Sequence, residues 1–338
     1  MLLETLDAAA ADTLVRRTMK SMLPKLLLAL LVALSGLPLS AIVHAEEPAD
    51  VPAVLGRENL VAWCIVPFDK SKRSPEDRAA MLRKLGFTKF AYDYRAEHVP
   101  TFDAEIEALQ REKVELFAWW FPTTMNPEAE SILRVIEKHK IHPQLWVMGS
   151  GGKTTTDAEQ ATRVQEEAAR IRVIAERAKM LGLKVGLYNH GGWFGEPENQ
   201  LAVIEALAME NVGIVYNLHH GHDHLARFPK LLEQMKPKLL CLNLNGMVPD
   251  GERQGQKILP LGQGSLDLDV LQTIVKSGYS GPIGIIGHTQ DDAEARLLDN
   301  LEGLSWLTSQ MNADGDIIGN ATSKPTTRTP SPLGNRSG

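Results

Sequence analysis

Cysteine is nearly missing: the 338 residues hold two, Cys64 and Cys241. Both lie inside apolar runs, LVAWCIVP and KLLCLNL, where a thiol serves as a small core residue, so a disulfide framework is excluded. Positive charge is also short. Lys and Arg number 36 against 42 Asp and Glu, a net charge of −6. Without a basic stripe, nucleic acid is not an expected partner. The longest unbroken apolar run, near the N-terminus, is too short to span a bilayer. No glycine-rich phosphate loop follows the first apolar run of the central region. VPFDKSKRSPED stands there instead, which argues against an open dinucleotide-binding sheet.

The N-terminus carries a different signal. MKSMLPKLLLALLVALSGLPLSAIVHAEE places Lys20 and Lys25 before an apolar stretch from Leu26 to Leu34, and Val43-His44-Ala45 follows. That is the order of a secretory signal peptide with cleavage after Ala45, so the mature chain is expected in the periplasm or secreted, free of the membrane. The division expected is a leader over 1–45, a linker over 46–57, one domain over 58–311, and a tail over 312–338. The tail is rich in Pro, Ser, Thr, Asn and Gly and is expected to be disordered.

Eight short apolar runs fill the central domain, at 60–67, 88–94, 114–121, 143–149, 183–189, 212–218, 238–244 and 282–287. Each precedes a helical stretch. Ser74-Pro75-Glu76-Asp77 and Asn126-Pro127-Glu128 supply a cap, a first-turn proline and first-turn acids, and Thr156-Asp157 opens a long helix. Strands apolar on both faces, alternating with helices, make a parallel sheet. Eight such units in about 250 residues make an α/β fold, a single (β/α)8 TIM barrel.

In such a barrel the active site forms where strands end. Those ends carry Asp93, Arg95, Glu97 and His98 after strand 2, and Trp119 and Trp120 on strand 3. Asn189, His190 and Trp193 follow strand 5, and Asn217, His219 and His220 follow strand 6. Asn243 and Asn245 lie on strand 7, and His288 follows strand 8. Indoles stack on the apolar faces of sugar rings and amides pair with hydroxyls, so a small-molecule carbohydrate is the expected ligand. His190 and His220 are the expected acid/base or ligand groups. Asp93, Arg95, His98, Trp119, Trp120, Asn189, Trp193, Asn217, Asn243, Asn245 and His288 are the expected substrate contacts. Adjacent Trp119 and Trp120 point opposite ways, so at most one faces the barrel axis. Asp93 and Arg95 could form an ion pair, and His222 and His224 read as part of a solvated loop with Asp223 capping the next helix.

Over residues 58–309 the sequence resembles the xylose-isomerase-like TIM-barrel superfamily, the sugar phosphate isomerase/epimerase group that also contains endonuclease IV. The motifs are LYNHGGW (187–193), VYNLHH (215–220) and LPLGQGSLDLDVLQTIVKSGYSGPIGI (259–285). The last is similar to the family's Gly-x-Gly-x-x-Asp and Gly-Tyr-x-Gly-Pro-Ile elements. The resemblance implies proton transfer at the carbon beside a sugar carbonyl, assisted by a divalent metal. The family holds that metal through Glu on strand 4, Asp on strand 6, His on strand 7 and Glu on strand 8. Here those places fall near Gly149, at Asn217, near Asn243 and near Gly287, so none of the four usual ligands is present. Two readings follow. A site rebuilt from His190, His220 and His288, with Asp93 or Glu97, could bind a divalent metal such as zinc or work without one. Alternatively, the barrel binds carbohydrate and has lost the chemistry. An enzyme relying on these histidines is expected to lose turnover as pH falls through about 6.

Overall fold

The computed structural model describes residues 51–319 and 322–329. The leader and its cleavage site, the start of the linker and the end of the tail lie outside the described residues. Among the described residues no helix is long and apolar enough to cross a membrane.

Eight strands close a parallel barrel: β1 (Leu60–Trp63), β2 (Lys89–Tyr92), β3 (Glu115–Phe121), β4 (Gln144–Met148), β5 (Val185–Tyr188), β6 (Val212–Asn217), β7 (Leu239–Leu244) and β8 (Ile283–Ile286). They pair in sequence order, and β8 returns to β1. One α-helix follows each strand: α1 (Pro75–Lys84), α2 (Phe102–Glu112), α3 (Pro127–His139), α4 (Asp157–Met180), α5 (Pro197–Leu207), α6 (Phe228–Met235), α7 (Asp267–Lys276) and α8 (Ala293–Thr308). The (β/α)8 barrel expected from the alternation is the fold of the chain. Three helix starts form as their sequences dictate. Ser74, Asn126 and Thr156 accept from the backbone N–H of Asp77 (3.2 Å), Ala129 (2.8 Å) and Glu159 (3.2 Å), satisfying donors that a first turn leaves open.

Strand alternation divides the side chains into two cores. Val61, Trp63, Ala91, Ala118, Trp146, Tyr188, Val215, Cys241 and Ile286 fill the barrel interior. Leu60, Ala62, Trp119, Phe121, Leu145 and Leu187 pack outward with the helices. Gly186 makes the interior possible: a Cβ there would stand 2.5 Å from Val215 Cγ2 and 3.1 Å from Trp146 Cδ1. Both cysteines are buried and free.

Two boundaries differ from the sequence reading. Residues 51–57, read as linker, form two short 3-10 turns with Val54 and Leu55 buried. Asn59 Nδ2 ties them down, donating to the carbonyls of Val54 and Gly281 at 2.8 Å each. Of the described tail residues, expected to be disordered, Gly315 and Asp316 bond to α7, and Arg328 and Thr329 dock on α8. Asp299 accepts from the backbone N–H groups of Arg328 (2.9 Å) and Thr329 (3.0 Å) and from the Thr329 hydroxyl (2.7 Å). A buried carboxylate that collects three donors supplies the attachment that apolar content did not promise.

Candidate active site

Aromatic residues floor the barrel mouth. The Trp63 centroid lies 4.8 Å from that of Trp146, 5.8 Å from Trp120 and 5.8 Å from Tyr188, and Trp120 meets Tyr188 edge-on at 4.6 Å. Trp63 Nε1 donates to the Tyr188 hydroxyl at 3.2 Å and Trp146 Nε1 to Gln144 Oε1 at 2.9 Å. Trp63, Trp146 and Tyr188 are buried. Trp120 is half-buried, so its ring is the one that solvent, or a ligand, reaches.

Above that floor four imidazoles touch in series. His190, exposed at the end of β5, lies 4.5 Å from His220; His220 lies 3.7 Å from His219, and His219 5.8 Å from His288. The 3-10 turn Leu218–His220 delivers the central pair directly from β6. At the far end Phe68 packs on His288 at 3.7 Å, and the Arg95 guanidinium lies over Phe68 at 5.5 Å. Burial, first, and the Lys257 charge hold all four below the ordinary histidine value, and other imidazoles add to this for His219, His220 and His288: His220 down to about 2, His288 to about 4, with His190 lowered and His219 well below. For His288 the Arg95 charge adds to the same effect. All four rings are therefore uncharged at neutral pH. Nδ1 of His219 and Nδ1 of His288 are buried without a protein partner among the described residues.

Asp93 stands at the end of β2, 2% exposed. Its Oδ1 accepts from Val66 N at 3.2 Å, and its Oδ2 has no partner. Burial pushes the carboxyl up to about 7, against the lowering pull of Arg95. Among the described residues Asp93 and Arg95 form no ion pair, a point that the sequence leaves open. Arg95 Nη1 donates instead to the carbonyls of Asp93 (2.9 Å) and Tyr94 (2.8 Å). Cys64, at φ 56° where β1 exits, faces this carboxyl, and burial and the carboxyl raise its thiol well above the usual range.

Other nominated residues are used differently. Asn189, Asn217 and Asn243 bond to one another and are fully buried, so they do not present hydroxyl-binding groups at the mouth. Asn217 Nδ2 donates to Asn189 Oδ1 at 3.1 Å, and Asn243 Nδ2 to Asn217 Oδ1 at 2.7 Å. Trp119 faces the helices, where it meets Phe102 and Tyr92. Trp193 is 3% exposed, and its indole donates to Gln160 Oε1 at 2.7 Å on α4. His98 Nδ1 accepts from Arg95 N at 2.9 Å, closing a local turn. Asn245 Nδ2 donates to the carbonyls of Gly246 and Lys257, while its Oδ1 is buried and unpaired. His222 and His224 are buried, not solvated: His222 Nε2 pairs with the Lys257 carbonyl at 2.9 Å, and His224 lies between the Tyr216 hydroxyl (2.9 Å) and Glu196 (3.3 Å). Glu196 and Glu198 also hold Arg227, which fixes the β6–α6 loop to the start of α5.

Trp63, Phe68, Tyr188, His219 and Lys257 were not nominated as site residues. Alternation from Gly186 to Tyr188 was the available signal for Tyr188. Phe68 and Lys257 arrive on irregular loops that carry no period.

The divalent metal implied by the family motifs does not fit this donor set. Asn217 and Asn243 spend their amides on the ladder, and Gly149 and Gly287 offer no side chain. Among the described residues no group of three or more His, Cys, Asp or Glu could hold a metal ion, so the suggested histidine-based metal site is not assembled there.

No family model matches the chain, and no curated protein matches its sequence. Solved structures do match. A xylose isomerase domain protein from Alicyclobacillus acidocaldarius aligns at 20% identity over 75% of this chain and 99% of its own, with a TM-score of 0.52. The 3-keto-D-glucoside 4-epimerase of E. coli aligns at 15% identity over 74% and 98%, with a TM-score of 0.54. The IolI protein, with a bound zinc atom, aligns at 14% identity over 74% and 98%, with a TM-score of 0.58. The first of these is named for the xylose isomerase domain that the motifs resemble, and at such identities all three establish the shared fold alone.

Proposed function

We propose that this chain is an exported carbohydrate enzyme that moves a proton at the carbon beside the carbonyl of a keto-sugar. The observation that carries the reading is the contact row His190–His220–His219–His288, whose exposed end lies 6.2 Å from the Trp120 ring. Neutral imidazoles are bases at physiological pH, and a row of them in contact is costly to build for packing alone. Trp120 would stack on the apolar face of the ring. His190, the exposed member, would take the proton from carbon and, as the imidazolium so formed, return it to the neighbouring carbon, while the neutral His220 beside it would accept a hydrogen bond. The unpaired Nδ1 atoms of His219 and His288 would bind hydroxyls. The reaction could end as isomerisation, epimerisation or β-elimination, and no step runs through a metal, because the donor set does not fit one. Export rests on the leader sequence ending at Ala45. The fold neighbours that act on sugars support the substrate class.

A second reading, a carbohydrate-binding barrel without chemistry, is favoured by one observation: the family's ligand positions are now glycines and mutually bonded amides. Incubation with keto-sugars in heavy water separates the two. Deuterium appearing beside the carbonyl, persisting with a chelator present and lost in His190→Ala, is expected. Binding without exchange from about pH 5 to pH 9 would leave the non-catalytic reading.

A further inference from the structure

The charges around the mouth are one-sided. The leading charge influences on the four imidazoles are cations and other imidazoles: Lys257 acts on all four and Arg95 on His288. Asp93, which shares the end of β2 with Arg95, is buried, and burial raises its carboxyl to about 7. Lys257 already has a partner, Glu252. Arg95 has none: among the described residues it makes no ion pair and bonds through Nη1 only. Two carbonyls and the face of Phe68 hold the guanidinium in place, and Phe68 lies directly on His288. A cation fixed at one end of a row of neutral bases, with its remaining donors open, is a ready-made seat for a planar or tetrahedral anion.

We infer that the sugar taken at this mouth carries an anionic group, a carboxylate or a phosphate, and that Arg95 seats it. This rests on the sugar reading above and adds the substrate class. A second feature agrees. The buried unpaired atoms, His219 Nδ1, His288 Nδ1 and Asn245 Oδ1, are suited to hydroxyls, which leaves the anion to the exposed rim where Arg95 stands. Trp120 and Arg95 lie at opposite ends of the chain of ring contacts. A ligand spanning them would place its anionic end toward β2 and its ring over β3 and β5.

Titration calorimetry on the full chain at low salt, with D-glucose, D-glucuronate and D-glucose 6-phosphate as probes, tests this. One of the two anions should bind about tenfold or more tightly than glucose, as a charge-assisted pair provides, and the better one identifies the group. The preference should shrink as salt rises. Arg95→Gln should erase the preference while leaving weak glucose binding. Arg95→Lys should keep part of it, since charge survives and the planar fork does not. Equal binding of all three probes to the unaltered protein, or a preference untouched by Arg95→Gln, overturns the inference and leaves the sugar reading standing. Failure of every probe to bind a folded chain also overturns the inference and leaves the sugar reading to the exchange experiment with keto-sugars.

Discussion

Asn189, Asn217 and Asn243 form one polar row at the strand ends of this barrel, and His190, His220, His219 and His288 form another. In the amide row each side chain is fully buried and bonded to its neighbour across β5, β6 and β7. In the imidazole row the rings touch, one is exposed, and two buried nitrogens have no partner. Residue types alone do not separate them, since amides and imidazoles both bind sugars. Satisfaction does. A polar group whose donors and acceptors are spent within the fold contributes to stability. One left open near solvent is held for something else.

The comparison breaks most visibly at His190. His190→Ala should lower proton exchange by about a hundredfold or more while changing stability by less than about 0.5 kcal/mol. A large drop in melting temperature would move His190 into the structural row. The pH profile sharpens the same point. With all four imidazoles held below their ordinary value, activity that needs a neutral base should persist below about pH 6 and fail only as pH drops toward the lowered value of His190. This revises the limb near 6 expected from unperturbed histidine.

Asn217→Ala should do the reverse. It removes the acceptor of Asn243 Nδ2 and a donor to Asn189 Oδ1, both sealed from water. The expected cost is about 3 kcal/mol, read as a lower midpoint in urea. A near-neutral result would mean that water reaches the ladder and that the amides belong to the site after all.

Asp93 sits between the two rows in kind: one oxygen is spent on Val66 N and one is open. Its folded value is raised to about 7. A carboxyl so raised keeps its proton longer in the folded chain than in the unfolded one. It therefore costs nothing at about pH 4 and progressively destabilises the fold as pH rises toward about 7. Asp93→Asn keeps an acceptor for Val66 and removes that burden. A gain of about 2 kcal/mol at about pH 8, absent at about pH 4, is expected from melting curves. The same change at both pH values would show that the carboxyl is not the source.

The eight strands and eight helices were legible because the strands are apolar on both faces and three of the helices carry plain start signals at Ser74, Asn126 and Thr156. The site was legible only in outline. His190, His220 and His288 could be placed at strand ends; His190 touches His220, while His288 joins only through His219. Which tryptophan of Trp119-Trp120 faces inward depended on the β2–β3 pairing, which shifts register between Phe90 and Ala91. No local pattern in the sequence encodes that shift. Nor does a sequence say that three asparagines on separate strands will spend their amides on one another. That depends on equal heights around the barrel, which only closure fixes.

The smallest effect is expected where charge looks most prominent, at the tail. Arg328 reaches both Asp299 and Glu302, but its side chain is 43% exposed, and an exposed pair gains little over hydration. The attachment lies in the Asp299 carboxylate, which is sealed and takes two backbone N–H groups and the Thr329 hydroxyl. Arg328→Ala leaves those three donors in place, so its cost should stay below about 1 kcal/mol. Asp299→Ala strands them and should cost more, about 2 kcal/mol. The order of the two midpoints in urea decides the matter. If Arg328→Ala proved the worse, the tail would be held by its ion pairs, and high salt should then release it.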